Sequence, residues 1–200
     1  MQLLCPILRV SNISLQPTNS HLVDIESART QLYPGAHIAA ANPYEHFHHG
    51  IVVDLTSADI SVIHFWGVKK REARIQVTTL PIFIAGNIKR VGIRTRQLYI
   101  VQYHNDTLEK QQETNQRAKS MLDKPDEYEY NIFRLNCESF AYFCRTERWE
   151  SEQVTIMRNQ LLNTIRNIRN KMKRRKKQCK TSCLSTNKTI PIGVPLSIEI

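Results

Sequence analysis

The sequence predicts an α+β domain, a small antiparallel sheet packed against a helix, followed by a basic C-terminal helix and a flexible tail. Three observations carry this. Short stretches rich in β-branched and aromatic residues, separated by turn residues, occupy 37–103. A helix with its own N-cap opens at Asn136. Beyond Val154 apolar residues recur at three- and four-residue steps in an otherwise polar, basic segment. The expected organisation is an N-terminal segment over 1–29, the principal domain over 30–150, a basic amphipathic helix over 151–180 and a tail over 181–200.

In chain order, the first ten residues, MQLLCPILRV, are apolar without a basic n-region or a small-residue cleavage site, and are expected to form a first strand or a lead-in segment. Pro34-Gly35 is a turn, with a short strand from His37 to Ala41 after it. Phe47–Asp54 and Ile60–Phe65 read as two strands joined by a hairpin at Thr56–Asp59, and Arg74–Thr78 and Leu98–Tyr103 add two more. Asn105-Asp106-Thr107 supplies N-cap residues for a polar helix to about Leu122, and Pro125 breaks it. The helix opened by Asn136 places Phe140, Phe143 and Cys144 on one face. Val154, Met157, Leu161, Ile165, Ile168 and Met172 form the stripe of the last helix, and the final twenty residues, with Pro191 and Pro195, are expected to be mobile.

The net charge of +10 is unevenly placed. Between Gln153 and Ile198 there are eleven Lys or Arg and no acid, whereas the first 152 residues carry seventeen of each sign. The charge therefore describes what the C-terminal segment touches, not the substrate of the domain. The hydrophobic fraction of 41% is enough for a core. Five scattered cysteines, Cys5, Cys137, Cys144, Cys179 and Cys183, do not make a disulfide framework. No run of about eighteen apolar residues encodes a membrane span. A reducing cytoplasm, with possible peripheral attachment to membranes, is the expected location.

The chemistry centres on Asn136-Cys137-Glu138. An N-cap at Asn136 makes Cys137 the first residue inside a helix, where partial positive charge and unpaired N–H groups favour a thiolate. Cys144, two turns later on the apolar face, reads as core. In Phe47-His48-His49-Gly50-Ile51-Val52 the strand period puts His48, Gly50 and Val52 on one face and His49 on the other. On the neighbouring strand Val62 and His64 share a face. His48 and His64 can then touch, one as base and one as its orienting partner. Competing readings are a solvated histidine cluster, a small buried thiol, and a zinc site; paired Cys or His-x3-His spacing on a helix is missing, so no metal and no cofactor are expected.

These segments together resemble the lecithin:retinol acyltransferase-like family. The resemblance rests on His48-His49-Gly50-Ile51, Val62-Ile63-His64-Phe65 and Asn136-Cys137-Glu138-Ser139-Phe140-Ala141, with Pro34-Gly35-Ala36-His37-Ile38 as lead-in, and covers roughly residues 30 to 150. It implies a permuted NlpC-type, papain-like fold with Cys137 as nucleophile, His48 as general base and His64 as the orienting residue. It also implies acyl transfer from a glycerophospholipid through a cysteine thioester to water or another acceptor. His49 falls at a variable position and acquires no role from the resemblance. Departures are Ala36 in place of an acid, a separation of sixteen positions from His48 to His64, a few more than usual, and Glu147-Arg148-Trp149 where a glycine is usual. A cysteine peptidase or amidase with the same triad, and a non-catalytic signalling module, are the alternatives.

Lys171–Lys177 is the densest cationic run, followed by Cys179 and Cys183. The segment 166–180 is expected to meet an anionic membrane surface, at about 1 kcal/mol per basic residue near it, with either cysteine a candidate for acylation. A solvated helix end is the bland alternative, and nucleic acid is not an expected partner.

Overall fold

A computed structural model of the chain describes residues 16–42, 46–56, 59–67, 72–86 and 95–185, with side chains as far as 175. The expected first strand or lead-in at residues 1–10, residues 186–200 of the tail expected over 181–200, and the side chains of Cys179 and Cys183 lie outside the described residues; residues 181–185 of that tail are helical instead, as the end of the last helix.

Six strands form one antiparallel sheet: β1 Ser20–Val23, β2 His37–Ala41, β3 His48–Leu55, β4 Ile60–Trp66, β5 Arg74–Thr79 and β6 Gln97–Val101, in the order β1-β6-β2-β3-β4-β5. Helices are α1 Ala28–Gln31, α2 Leu80–Ala85, α3 Leu108–Leu122, α4 Cys137–Thr146 and α5 Glu152–Ser185, with a 3-10 turn at Pro125–Glu127. The α+β class, the five expected strands and the expected helices are present. Sequence patterning had not marked β1, α1 or α2. β1 is four residues long, too short for alternation to register, and its Leu22 is exposed. α2, LPIFIA, is an apolar run whose periodicity cannot separate helix from strand. Thr79 in an extended conformation opens it, Pro81 sits in its first turn, and Gly86 at φ 68 closes it with a bond from its N–H to the Ile82 carbonyl.

The sheet is buried on both faces. On one, Ile38, Ala40, Val52, Val62, Leu98 and Ile100 pack with Leu80, Phe83 and Ile84 of α2. On the other, Ile51, Val53, Ile63, Phe65 and Ile75 pack with Ala118 and Met121 of α3 and with Phe140, Ala141 and Cys144 of α4. Cys144 is fully buried, as its place on the apolar face of α4 requires. Thr107 caps α3 by accepting from the Lys110 N–H at 3.3 Å. Where the α3 and α4 ends meet, buried Arg145 pairs with Asp106 and bonds Thr114 Oγ1 at 3.3 Å.

The chain divides into two units, Met1–Ile156 and Met157–Ile200. In the second, Leu161, Ile165, Ile168 and Met172 of the apolar stripe of α5 are 47 to 58% exposed. Among the described residues no helix is long and apolar enough to cross a membrane.

Candidate active site

The site is built around the first turn of α4. Asn136 adopts an extended conformation, and its Oδ1 accepts from the Ser139 N–H at 2.9 Å while Ser139 Oγ accepts from the Asn136 N–H at 2.9 Å. This reciprocal box fixes the helix start at Cys137. Two exposed N–H groups of a helix start are satisfied by the box; those at Cys137 and Glu138 remain directed at the Cys137 thiol and draw its pKa down. Burial works the other way and wins. The Cys137 thiol is pushed up to about 11 by burial, with the Glu138 charge adding to the rise, and the His49 main-chain N–H opposing it. The thiol is therefore protonated at rest, and a pre-formed thiolate is not what the helix start provides here.

The position of that His49 N–H follows from the strand register. Val52 N–H donates to the Ala36 carbonyl, so alternate residues of β3 turn their polar groups toward β2, and His49, three positions back, turns its own toward β4. The β3–β4 pairing runs from Leu55↔Ile60 only as far as Ile51↔Ile63, although β4 continues, paired to β5, through Trp66↔Arg74. β3 and β4 thus part at His48–Gly50. In the gap the His49 N–H meets Cys137 in place of a ladder partner.

His48 and His64 come together across the same gap. His48 Nε2 lies 2.6 Å from His64 Nδ1, and His64 Nε2 lies 2.8 Å from Thr78 Oγ1. The Thr78 hydroxyl donates to the Thr79 carbonyl at 3.4 Å and so accepts from His64 Nε2–H. His64 Nδ1 then accepts from His48 Nε2–H, and the relay ends in the Nδ1 lone pair of His48. Burial holds both rings neutral: His48 is lowered to about 3 by burial and by the nearby Arg96 charge, and His64 is lowered well below the usual imidazole range by burial and by His48. Phe83 packs on both rings, at 5.1 and 5.2 Å between centroids. Gly50 makes room for this, because a Cβ there would stand 2.7 Å from Val62 Cγ1, 3.0 Å from Phe83 Cε2 and 3.2 Å from His64 Cβ.

Of the expected residues, the structure joins His48 to His64 directly. It brings Cys137 to the main chain one residue away, and among the described residues no hydrogen bond joins the thiol to an imidazole. The face assignment of the strand holds: His49 points to the α4 side. Its surroundings were not anticipated, since it is fully buried and bonded to His37 and Gln153. Thr78 as the end of the relay was also missed; its signal was available in the pairing of β4 with β5, which sets Thr78 beside Val62 and diagonally from His64. Glu138 was read only as part of a motif. It is a buried cap for α5, accepting from the Ser151 hydroxyl and from the N–H groups of Glu152 at 3.0 Å and Gln153 at 3.1 Å. At the other end of α4, Glu147 holds φ 63, the left-handed conformation for which a glycine is the usual residue. Among the described residues no group of three or more His, Cys, Asp or Glu side chains is arranged to hold a metal ion.

Comparison with known proteins gives one match: the family described as lecithin retinol acyltransferase, over residues 30–150. No curated protein and no solved structure matches.

Proposed function

Because the chain belongs to the lecithin retinol acyltransferase family, one of acyltransferase- and phospholipase-type activity in general, we propose that it transfers an acyl group from a glycerophospholipid by way of a Cys137 thioester. The observation that carries the reading is the conjunction at the β3–β4 gap. A capped helix delivers a thiol to the main chain of His49, and the adjacent His48 ends a relay whose free lone pair is on Nδ1.

The protonation states select the order of events. Thiol and imidazole are both neutral at rest, so proton removal accompanies attack. His48 Nδ1 takes the Sγ proton as sulfur bonds the ester carbonyl carbon. Collapse of the tetrahedral oxyanion breaks the bond to the glycerol oxygen, which leaves with the proton from His48. Water or an acceptor hydroxyl or amine then attacks the thioester, giving its proton to His48, and the thiol is restored when that proton returns to sulfur. His64, held by Thr78, keeps the His48 ring in the required tautomer and orientation.

Fatty-acid release from phosphatidylcholine vesicles tests the assignment. Cys137→Ser and His48→Ala lose activity to background, and His64→Gln, which can still accept from His48 Nε2–H, retains more than His64→Ala. Full activity in His48→Ala would remove it as the base. Cleavage of peptide or amide substrates in preference to lipid would replace the reading with an amidase.

For the second unit we propose attachment to anionic membranes, supported by the exposed α5 stripe beside the basic run of 166–180. Co-sedimentation with phosphatidylserine vesicles that falls as salt is raised is expected; binding equal to that of neutral vesicles would count against it.

A further inference from the structure

A second hydrogen-bonded chain lies on the α4 side of the sheet, and acyl transfer at Cys137 does not use it. Its direction can be read from one fixed end. The Gln153 amide is oriented by its bonds to Phe47: Oε1 accepts from the Phe47 N–H at 3.0 Å, and Nε2 donates to the Phe47 carbonyl at 3.3 Å. Nε2 also donates to Glu138 Oε2 at 3.3 Å. An amide nitrogen only donates, so His49 Nε2, 2.9 Å away, accepts. The proton of the neutral His49 ring is then on Nδ1 and is given to His37 Nε2 at 2.9 Å. His37, accepting there, carries its own proton on Nδ1 and gives it to Tyr103 Oη at 2.7 Å.

A second proton on either ring would set donor against donor, at His37–His49 or at His49–Gln153, so the chain admits only neutral imidazoles. Burial agrees, lowering His37 to about 3 and His49 well below its usual range.

The Tyr103 hydroxyl hydrogen is thereby turned away from His37. Among the described residues Oη has no hydrogen-bond partner except that ring. Tyr103, His37 and His49 line a cavity of about 730 Å3 whose wall includes Val101, Phe133 and Trp149. Each bond in the chain polarises the next, so the tyrosine stands as a strengthened donor in a partly apolar cavity. We propose that this cavity is a ligand subsite in which the Tyr103 hydroxyl donates to the carbonyl or hydroxyl oxygen of a lipid fragment, with the alkyl part against the apolar wall. That the ligand is a lipid rests on the acyl-transfer reading; the oxygen-reading donor rests on the chain of four side chains.

The test uses full-length Cys137→Ala protein, which cannot turn over, so its result is separate from that of fatty-acid release by the wild type. With Trp66→Phe added, Trp149 in the cavity wall is the remaining tryptophan. Titration with 1-decanoylglycerol below its micelle concentration is expected to change Trp149 emission saturably. Tyr103→Phe is expected to weaken binding about tenfold, the worth of roughly one hydrogen bond. Absence of saturable binding, or equal affinity in Tyr103→Phe, overturns the proposal. Imidazole 15N spectra of the unmutated protein supply an independent check: both His37 and His49 are expected as Nδ1–H tautomers, and an Nε2–H tautomer at either overturns it.

Discussion

Acidification from pH 7 to pH 4.5 is expected to unfold this protein through its buried imidazoles. His37 and His48 are each lowered from 6.5 to about 3, and His49 and His64 are lowered too. A group whose folded pKa is depressed stabilises the fold above its unfolded pKa and loses that contribution as pH falls toward the folded value. The affected window here runs from about 6.5 down to about 3. Each such histidine contributes a slope of about 1.4 kcal/mol per pH unit once its unfolded form is protonated. At pH 4.5 the two with values of about 3 together cost about 5 kcal/mol, and His49 and His64 add to that in the same direction. Glu138 opposes them: its carboxyl is raised by burial, so protonating it in the fold relieves a cost as pH falls. One carboxyl against four imidazoles leaves the sign unchanged. Against a typical total of about 5–15 kcal/mol, the loss is enough to bring the domain near its midpoint. Urea unfolding followed by circular dichroism at several pH values measures the slope. A slope of at least about 2.7 kcal/mol per pH unit between pH 5.5 and 4.5 is expected. A slope under about 1.4 would mean that less than one proton, net, is taken up on unfolding, and would refute the neutral buried relay.

The thiol offers a second pH test. With Cys137 at about 11 rather than 9.0, iodoacetamide should alkylate it about a hundredfold more slowly than a free thiol at pH 8, the rate rising through pH 10; peptide mass mapping reads the rate, and alkylation as fast as glutathione would show that burial does not raise the thiol. Gly50→Ala pushes a methyl into Val62, Phe83 and His64 and should cost about 1–3 kcal/mol in urea unfolding, with lower kcat; an unperturbed variant would mean that the gap is looser than the register indicates. Arg145→Met removes the buried partner of Asp106, whose carboxylate stays partly exposed and keeps its bonds from Tyr33 and Gln111, and should cost about 1–3 kcal/mol; a loss below about 0.5 would show that the pair is worth no more than an exposed one.

What could be read from sequence was what depends on local period and local capping. The parity of β3 separates His48 from His49 without any tertiary information, and Asn136 with Ser139 fixes the first turn of α4 within four residues. The contact between His48 and His64 needed only that neighbouring strands pair. What escaped depended on pairings between distant segments. His37 and His49 are twelve residues apart and meet because β2 lies against β3 with Ala39 opposite His49. Gln153 reaches His49 across 104 residues, after α5 has been turned back by the Glu138 cap. The thiol's environment was misjudged in balance, not in kind. The helix start was expected to favour a thiolate; burial outweighs it, and that weight is set by how tightly α4 packs on the sheet.

The central claim is that Cys137 carries the acyl group, and intact-protein mass spectrometry tests it most directly. Folded protein quenched in acid within seconds of mixing with dipalmitoylphosphatidylcholine vesicles should show a mass increase of one palmitoyl group. That increase should map to the Cys137 peptide, be released by neutral hydroxylamine and be absent from Cys137→Ala. Fatty-acid release without any adduct at Cys137, or an adduct that persists in Cys137→Ala, would contradict the thioester route.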